Sequence, residues 1–445
     1  MKNAPRNAPP LHCRLLLITS LLLAKTASAD CVFSSPKMTN TREPYAIALP
    51  IGRINLSSRH LQPPGTLLGS GIAPSTLYTY QGATADTTLW ICDKADVEQR
   101  KVYFLVSTNA DSRFGGYHDI GQADGLDDVH ATWFEYVGLR QSIGGVPLGR
   151  YWRKVELPGW QIVGQKAHIR LQDIPPMQAE LYRVSQRVPT GGASSNCGGN
   201  RQKQATQTNT AYACEIATGY LQLAGAVGET LPHDKEGEDH RTNHRFHAPS
   251  NGIAYHLDQS LILNTSPTCV TRTDATQVTF PTVSAQALQN GDEIPATFSV
   301  VVECSHGAVS GTDNEETAIG FQVSPGAFAA AQRLGLVNDA SGVDVLISDR
   351  YDSDPGLARG VGVSLWQAGR PREFLGWPGL IGTGHIKGPR AGWFPVLDGA
   401  TATGESAPGY QQFRLDFTAK LAKLPAATVT PGKVRATANI LVRVQ

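Results

Sequence analysis

From Gly432 to the carboxyl end the chain alternates with a period of two. Val434, Ala436, Ala438, Ile440, Val442 and Val444 fall on one face, opposed by Lys433, Arg435, Thr437, Asn439 and Arg443. That repeat sends successive side chains to opposite faces of an extended strand, whereas on a helix it would scatter the apolar residues round the axis. The pattern recurs at 296–304, where Ala296, Phe298, Val300, Val302 and Cys304 share a face, and at 411–421 through Phe413, Leu415, Phe417, Ala419 and Leu421. Shorter candidates at 319–323, 343–347 and 361–366 are bounded by Gly, Pro or Asp. Together they predict an antiparallel sandwich of about seven strands.

The rest of the chain is also predicted to be strand-rich, with candidates at 88–92, 101–107, 131–137 and 167–171. Only 17% of the 445 residues are charged, while Gly 45 and Pro 28 favour strands and turns over long helices. Polar tracts at 189–211 and 228–251 interrupt the pattern, and a boundary is expected near 263–267. The expectation is therefore all-β, with two β-sandwich domains at 30–265 and 266–445. Lys+Arg 39 against Asp+Glu 38 leaves a net charge of +1, which offers no basic field for nucleic acid.

Residues 1–29 read as a secretion signal. Lys2, Arg6 and Arg14 precede the apolar run 15–24, and Ala27-Ser28-Ala29 has the small-x-small form of a cleavage site. The run is too short to span a bilayer. An exported chain favours disulfides, and once Cys13 leaves with the signal six cysteines remain. Six thiols allow about 15 connectivities, of which consecutive pairing is the simplest: Cys31–Cys92, Cys197–Cys214 and Cys269–Cys304. A metal cluster on the same cysteines lacks any C-x-x-C pair.

The segment from Cys269 to Gln445 resembles the pilin domain of bacterial fimbriae assembled by the chaperone–usher route. The likeness is carried by the Cys269 and Cys304 pair with the strand "ATFSVVVEC", by "FRLDFTAKL", and by the closing "GKVRATANILVRVQ". Gly432 stands where that family has a glycine, fourteenth from the carboxyl end; Val444 replaces the usual penultimate aromatic. The resemblance implies an incomplete immunoglobulin-like fold that lacks its final strand and is completed by a donor strand. A periplasmic chaperone, and later an adjacent fimbrial subunit, would supply that strand along Gly432, Val434, Ala436, Ala438, Ile440, Val442 and Val444. A complete sandwich ending in an ordinary strand is the alternative.

The whole chain resembles a two-domain tip adhesin. The mature chain is expected to begin at Asp30, one residue before Cys31, with no donor extension of its own. "LWICDKADV", "GLRQSIGGVPLGRYWRKVELPGW", "AELYRV" and "NGIAYHLD" carry the softer likeness to receptor-binding domains. The resemblance implies a non-enzymatic protein exported through the periplasm, passed to an outer-membrane usher, and displayed at the distal fibre end. There it would attach the cell to host or abiotic surfaces through a glycan or another surface ligand.

The competing class is a secreted β-sandwich hydrolase acting on glycans or esters. No H-E-x-x-H or G-x-S-x-G motif is present; Gly362-Val363-Ser364-Leu365-Trp366 fails at its last position. Ser34-x-x-Lys37 matches a serine–lysine pair with no K-T-G element downstream. Asp349, Asp352 and Asp354 break the alternate spacing of a calcium loop and read as a solvated turn. Trp90, Trp133, Trp152 and Trp160 are core candidates first and sugar platforms second, Trp90 above all. Receptor candidates are His118, Asp119, Asp127, Asp128 and His130 of "HDIGQADGLDDVH", with Trp133 close by. His233, His240, His244 and His247 lie in the second polar tract, where a zinc site is weighed against a polar loop. No other cofactor is suggested.

Overall fold

The structure is a computed structural model, and it describes residues 31–34, 46–79, 82–110, 113–188, 208–214, 216–228, 231–247, 250–273, 277–377 and 388–445. Residues 1–29, expected to be a secretion signal, lie outside the described residues, as do Cys197 and most of the 189–211 tract. No described helix is long and apolar enough to cross a membrane.

The chain is mostly β. Among the described residues the strands up to Asn264 form four sheets, and those from Cys269 onward form two. The central sheet of the first part runs Arg153–Val155, Val102–Thr108, Ala217–Gly225, Gly252–His256 and Ile47–Ala48. Its middle strand, Ala217–Gly225, is buried on both faces. Leu221 and Leu223 enter the main core, while Tyr220 and Ala224 pack with Leu105, Trp152 and Phe246 on the other side. Burial of both faces removes any need for alternation, so this strand carries no period-two signal. The segment that covers the second face is the polar tract itself: His240 is 2% exposed and Asp234 is fully buried. The polar tract is thus folded against the sheet.

Other expectations need correction. The candidate at 131–137 is two strands, His130–Ala131 and Val137–Ile143, joined by a turn in which Thr132 Oγ1 donates to Phe134 O and Val137 O. The 343–347 candidate is no regular strand; isolated bridges tie Val343 to Val337 and Phe374, and Leu346 to Val363.

The second part is a sandwich. Ile294–Ser305 pairs along its whole length with Tyr410–Lys423, which also pairs with Val361–Gln367. Thr317–Val323 and Ala438–Val444 form the opposite sheet. Phe321 and Phe417 meet between the sheets with centroids 5.1 Å apart, edge to face. Disulfides join Cys31 to Cys92 and Cys269 to Cys304, the second pair standing directly opposite in strand register. Cys214 is also disulfide-bonded. A helix at Pro325–Arg333 follows the second sheet's central strand. Ser324 caps it by accepting from the Ala327 amide at 3.2 Å, and Pro325 opens it.

Candidate functional site

The carboxy-terminal stripe lies at the edge of the second sandwich. Ala438–Val444 has Thr317–Val323 as its ladder partner, and among the described residues no strand pairs along its other edge. The ladder is shorter than the alternation: residues 432–437 are not in a strand and hang on the 348–358 segment instead. Lys433 N–H donates to Gly356 O, Ala358 N–H to Lys433 O, and Asp349 N–H to Arg435 O, at 3.0, 3.0 and 2.9 Å. The Asp349 carboxylate accepts from Thr437 N–H at 3.0 Å and from Thr437 Oγ1 at 2.8 Å. Gly432 is needed for this hook, because a Cβ there would stand 2.3 Å from Ala358 N.

Burial along the stripe is uneven. Val444 is 1% exposed, but Val434, Ala436, Ala438, Ile440 and Val442 are only half-buried against the core. Across the sandwich Ile294, Ala296 and Phe298 are half-buried too, while Val300 and Val302 on the same strand are fully covered. Phe321 links the two rows, since it stands opposite Ile440 in the ladder and 6.0 Å from the Phe298 ring. A row of core side chains left half-covered beside an unpaired strand edge fits one more strand: backbone groups for its ladder and pockets for alternate side chains.

The receptor candidates do not share one fate. His118 is half-buried, Asp127 is exposed, and Asp119 folds back to accept from the Gly121 amide at 3.1 Å. Asp128 is held by Arg153 through two hydrogen bonds of 2.7 and 2.8 Å. His130 and Trp133 lie at core positions, 5% and 8% exposed. His130 lies in the sheet opposite Leu139, and Trp133 meets the Tyr212 ring edge to face at 5.8 Å. Burial lowers the His130 pKa despite the nearby Asp119 and Asp128, and burial with Arg113 lowers that of His118. Trp90 and Trp152 are fully buried.

The histidines of the second tract are not four ligands of one ion. His240 Nε2 and His244 Nδ1 lie 2.6 Å apart, and His240 Nδ1 lies 2.6 Å from Ser107 Oγ. Two nitrogens on one zinc, each about 2.0–2.1 Å from the metal in tetrahedral geometry, would stand farther apart than that. His233 accepts from the Gly225 amide at 3.3 Å, and the His247 amide donates to Asn251 Oδ1 at 2.7 Å. Among the described residues no three His, Cys, Asp or Glu side chains are placed to hold a metal ion. The Ser107–His240 contact has the atoms of a nucleophile and base, but Ser107 is wholly buried, so no substrate reaches it.

The two polar segments nevertheless meet, at residues that sequence reasoning passed over. Arg241 donates to Tyr117 Oη at 2.8 Å, and the guanidinium groups of Arg241 and Arg150 lie 4.9 and 5.7 Å from the Tyr117 ring centroid. Arg150 also forks onto Asp239, with Nε donating to Oδ1 at 2.8 Å. That hydrogen bond lowers the Asp239 pKa and raises that of Arg150. Beside them the Tyr151 side chain is 53% exposed. This patch combines an accessible ring with fixed charged donors, which suits a hydroxyl-rich or anionic ligand.

Residues 255–445 match the model of the fimbrial protein family. The match places a fimbrial protein domain in the carboxy-terminal part of the chain. Among solved structures the chain is similar to the P pilus rod subunit PapA, at 19% identity over 40% of this chain and 99% of that one, with a TM-score of 0.23. It is similar over nearly its full length to the CupB6 tip adhesin from Pseudomonas aeruginosa, at 10% identity, covering 93% of this chain and 94% of that one, with a TM-score of 0.21. The chaperone–tip adhesion subunit pre-assembly complex CsuC–CsuE of Acinetobacter baumannii gives 11% identity, 89% and 99% coverage, and a TM-score of 0.21. No curated protein matches the chain.

Proposed function

We propose that this chain is the tip adhesin of a chaperone–usher fimbria. The observation that carries the reading is the half-covered stripe from Val434 to Val442 beside the unpaired edge of Ala438–Val444, within a fimbrial domain. A periplasmic chaperone strand covers that edge first, and the strand of an adjacent subunit replaces it after delivery to the outer-membrane usher. Tip position is supported by the chain before Cys269. In a shaft subunit that segment is donated to a neighbour, but here Ile262–Asn264 is already paired with Arg53–Asn55 and Thr210–Ala211. The part up to residue 265 recognises the receptor, a glycan or surface ligand, through the patch around Tyr117, Arg150, Tyr151 and Arg241.

The test is production of the full chain with and without a donor peptide fused to it. The bare chain aggregates and the fused chain is a soluble monomer that adheres to its surface. A bare chain that stays monomeric, with no gain in stability from the peptide, refutes the open edge.

A further inference from the structure

The two parts of the chain enclose a cavity of about 920 Å³ at their seam. One wall comes from Arg53–Asn55, Leu67–Ala73 and Met177–Arg183, the other from Thr317–Val323 and Ala438–Val444. Alternation along the last strand decides what the second wall presents. Ile440 and Val442 pack on the sandwich core, whereas Asn439 and Arg443 belong to the opposite face.

Arg443 has no counter-charge among the described residues. Its Nε and Nη2 are shut off from solvent without an acceptor there, and no ion pair with those residues reaches it. Its third nitrogen, Nη1, is not among the sealed atoms, and the side chain lines the cavity. The charge that acts on it from across the seam is another cation, Arg53. The remaining charges on the lining are already spoken for: Arg272 is paired with Glu303, and Glu180 with Arg140. The cavity wall thus carries two guanidinium groups that no carboxylate among the described residues neutralises.

We infer that the seam cavity binds a small organic oxyanion, of monosaccharide size, against Arg443 and Arg53. Guanidinium nitrogens shut off from solvent without an acceptor are destabilising, and a ligand that brings the missing negative charge recovers part of that cost. Burial, with Arg53 adding to it, pushes the Arg443 pKa down to about 9, the direction expected of a cation kept from its counter-ion. The volume falls in the range of small-ligand sites, too large for a lone inorganic ion to fill. Asn439 offers a neutral group for hydroxyls on the same ligand, beside Ser70, which donates to Gln322 Oε1 at 3.4 Å.

The inference stands on the seam and not on the adhesin reading. Its test is calorimetric titration of the full chain, carrying the fused donor peptide where the bare chain needs it, with glucuronate. Glucose and sodium chloride at matched ionic strength are the controls. Glucuronate binds and the controls do not; Arg443→Met weakens binding at least tenfold and raises the melting temperature of the unliganded protein. Arg53→Met, on the outer wall, weakens binding as well and serves if the first variant fails to fold. Glucuronate behaving like glucose, or a folded variant that binds it like the parent, overturns the inference even if adhesion is intact.

Discussion

Acid should loosen the first part of the chain through one histidine. His240 stacks on the Trp152 ring at 4.9 Å, contacts Ser107 and His244, and is 2% exposed. Burial, with the neighbouring His244 second, lowers its pKa from 6.5 to about 3, against the weaker pull of Asp239. The folded pKa lies below the unfolded one, so its contribution is intact above about pH 6.5 and is lost as pH falls toward 3. Each pH unit below 6.5 costs about 1.4 kcal/mol, so moving from pH 7.5 to about pH 5 removes about 2 kcal/mol through this residue alone. Burial raises the Asp234 pKa, and that carboxyl works in the opposite direction, while His130 adds to the loss. Both act equally in parent and variant, so a difference measurement isolates His240. Urea unfolding of the full chain, followed by tryptophan fluorescence at both pH values, gives that difference. His240→Phe keeps the stacking and leaves Ser107 unpaired, so it is less stable than the parent at about pH 7.5 by about 1–3 kcal/mol. It then loses about 2 kcal/mol less than the parent on acidification. Equal losses in parent and variant refute the claim that His240 is held neutral.

Other consequences follow from burial and pairing. Ile440→Asp places a carboxylate on the half-covered stripe at a cost of several kcal/mol; co-purification with the chaperone should be lost, and retained capture would contradict the proposed edge. Tyr151→Ala should weaken adhesion by roughly tenfold, the loss typical of an accessible aromatic anchor, with an unchanged melting temperature because the ring is 53% exposed. Replacing Cys269 and Cys304 together with Ser should lower stability by about 3–4 kcal/mol in denaturant titrations, since the bridge closes a loop of 35 residues. Ser324→Ala should cost about 1 kcal/mol through the lost helix cap, read as a lower urea midpoint.

What sequence reading captured depended on how each element is buried. Ile294–Ser305 and Tyr410–Lys423 have one face on the core and one toward solvent, so their alternation is plain in the residues. Ala217–Gly225 is just as much a strand, yet with both faces covered its composition has no reason to alternate. The helix at Pro325–Arg333 announces itself through Ser324 and Pro325, a cap and first-turn signal that strand-seeking passes over. The tract holding His240 looks like a solvated loop because it is polar. Its polarity is spent inside, where Asp234 accepts from the Arg245 amide at 3.1 and 3.2 Å, and Asn251 Nδ2 donates to Pro232 O and Arg245 O.

The candidate receptor patch shows a stricter limit. Tyr117, Arg150, Tyr151, Asp239 and Arg241 come from three separate stretches, and no local spacing relates them. They are joined by an Arg–Asp fork and by guanidinium groups on a ring, interactions that need only the side-chain types and a fold that brings them within about 6 Å. The seam is the same kind of object. Arg443 reads in the sequence as a solvent-facing residue of the last strand, and in an isolated fimbrial domain it would be one. Its Nε and Nη2 are instead shut off from solvent because the first part of the chain lies over that face, with Arg53 across from it. Alternation along a strand determines which side a residue takes; what waits on that side is decided by a contact far away in sequence, and in this chain the unmatched charge appears at that contact.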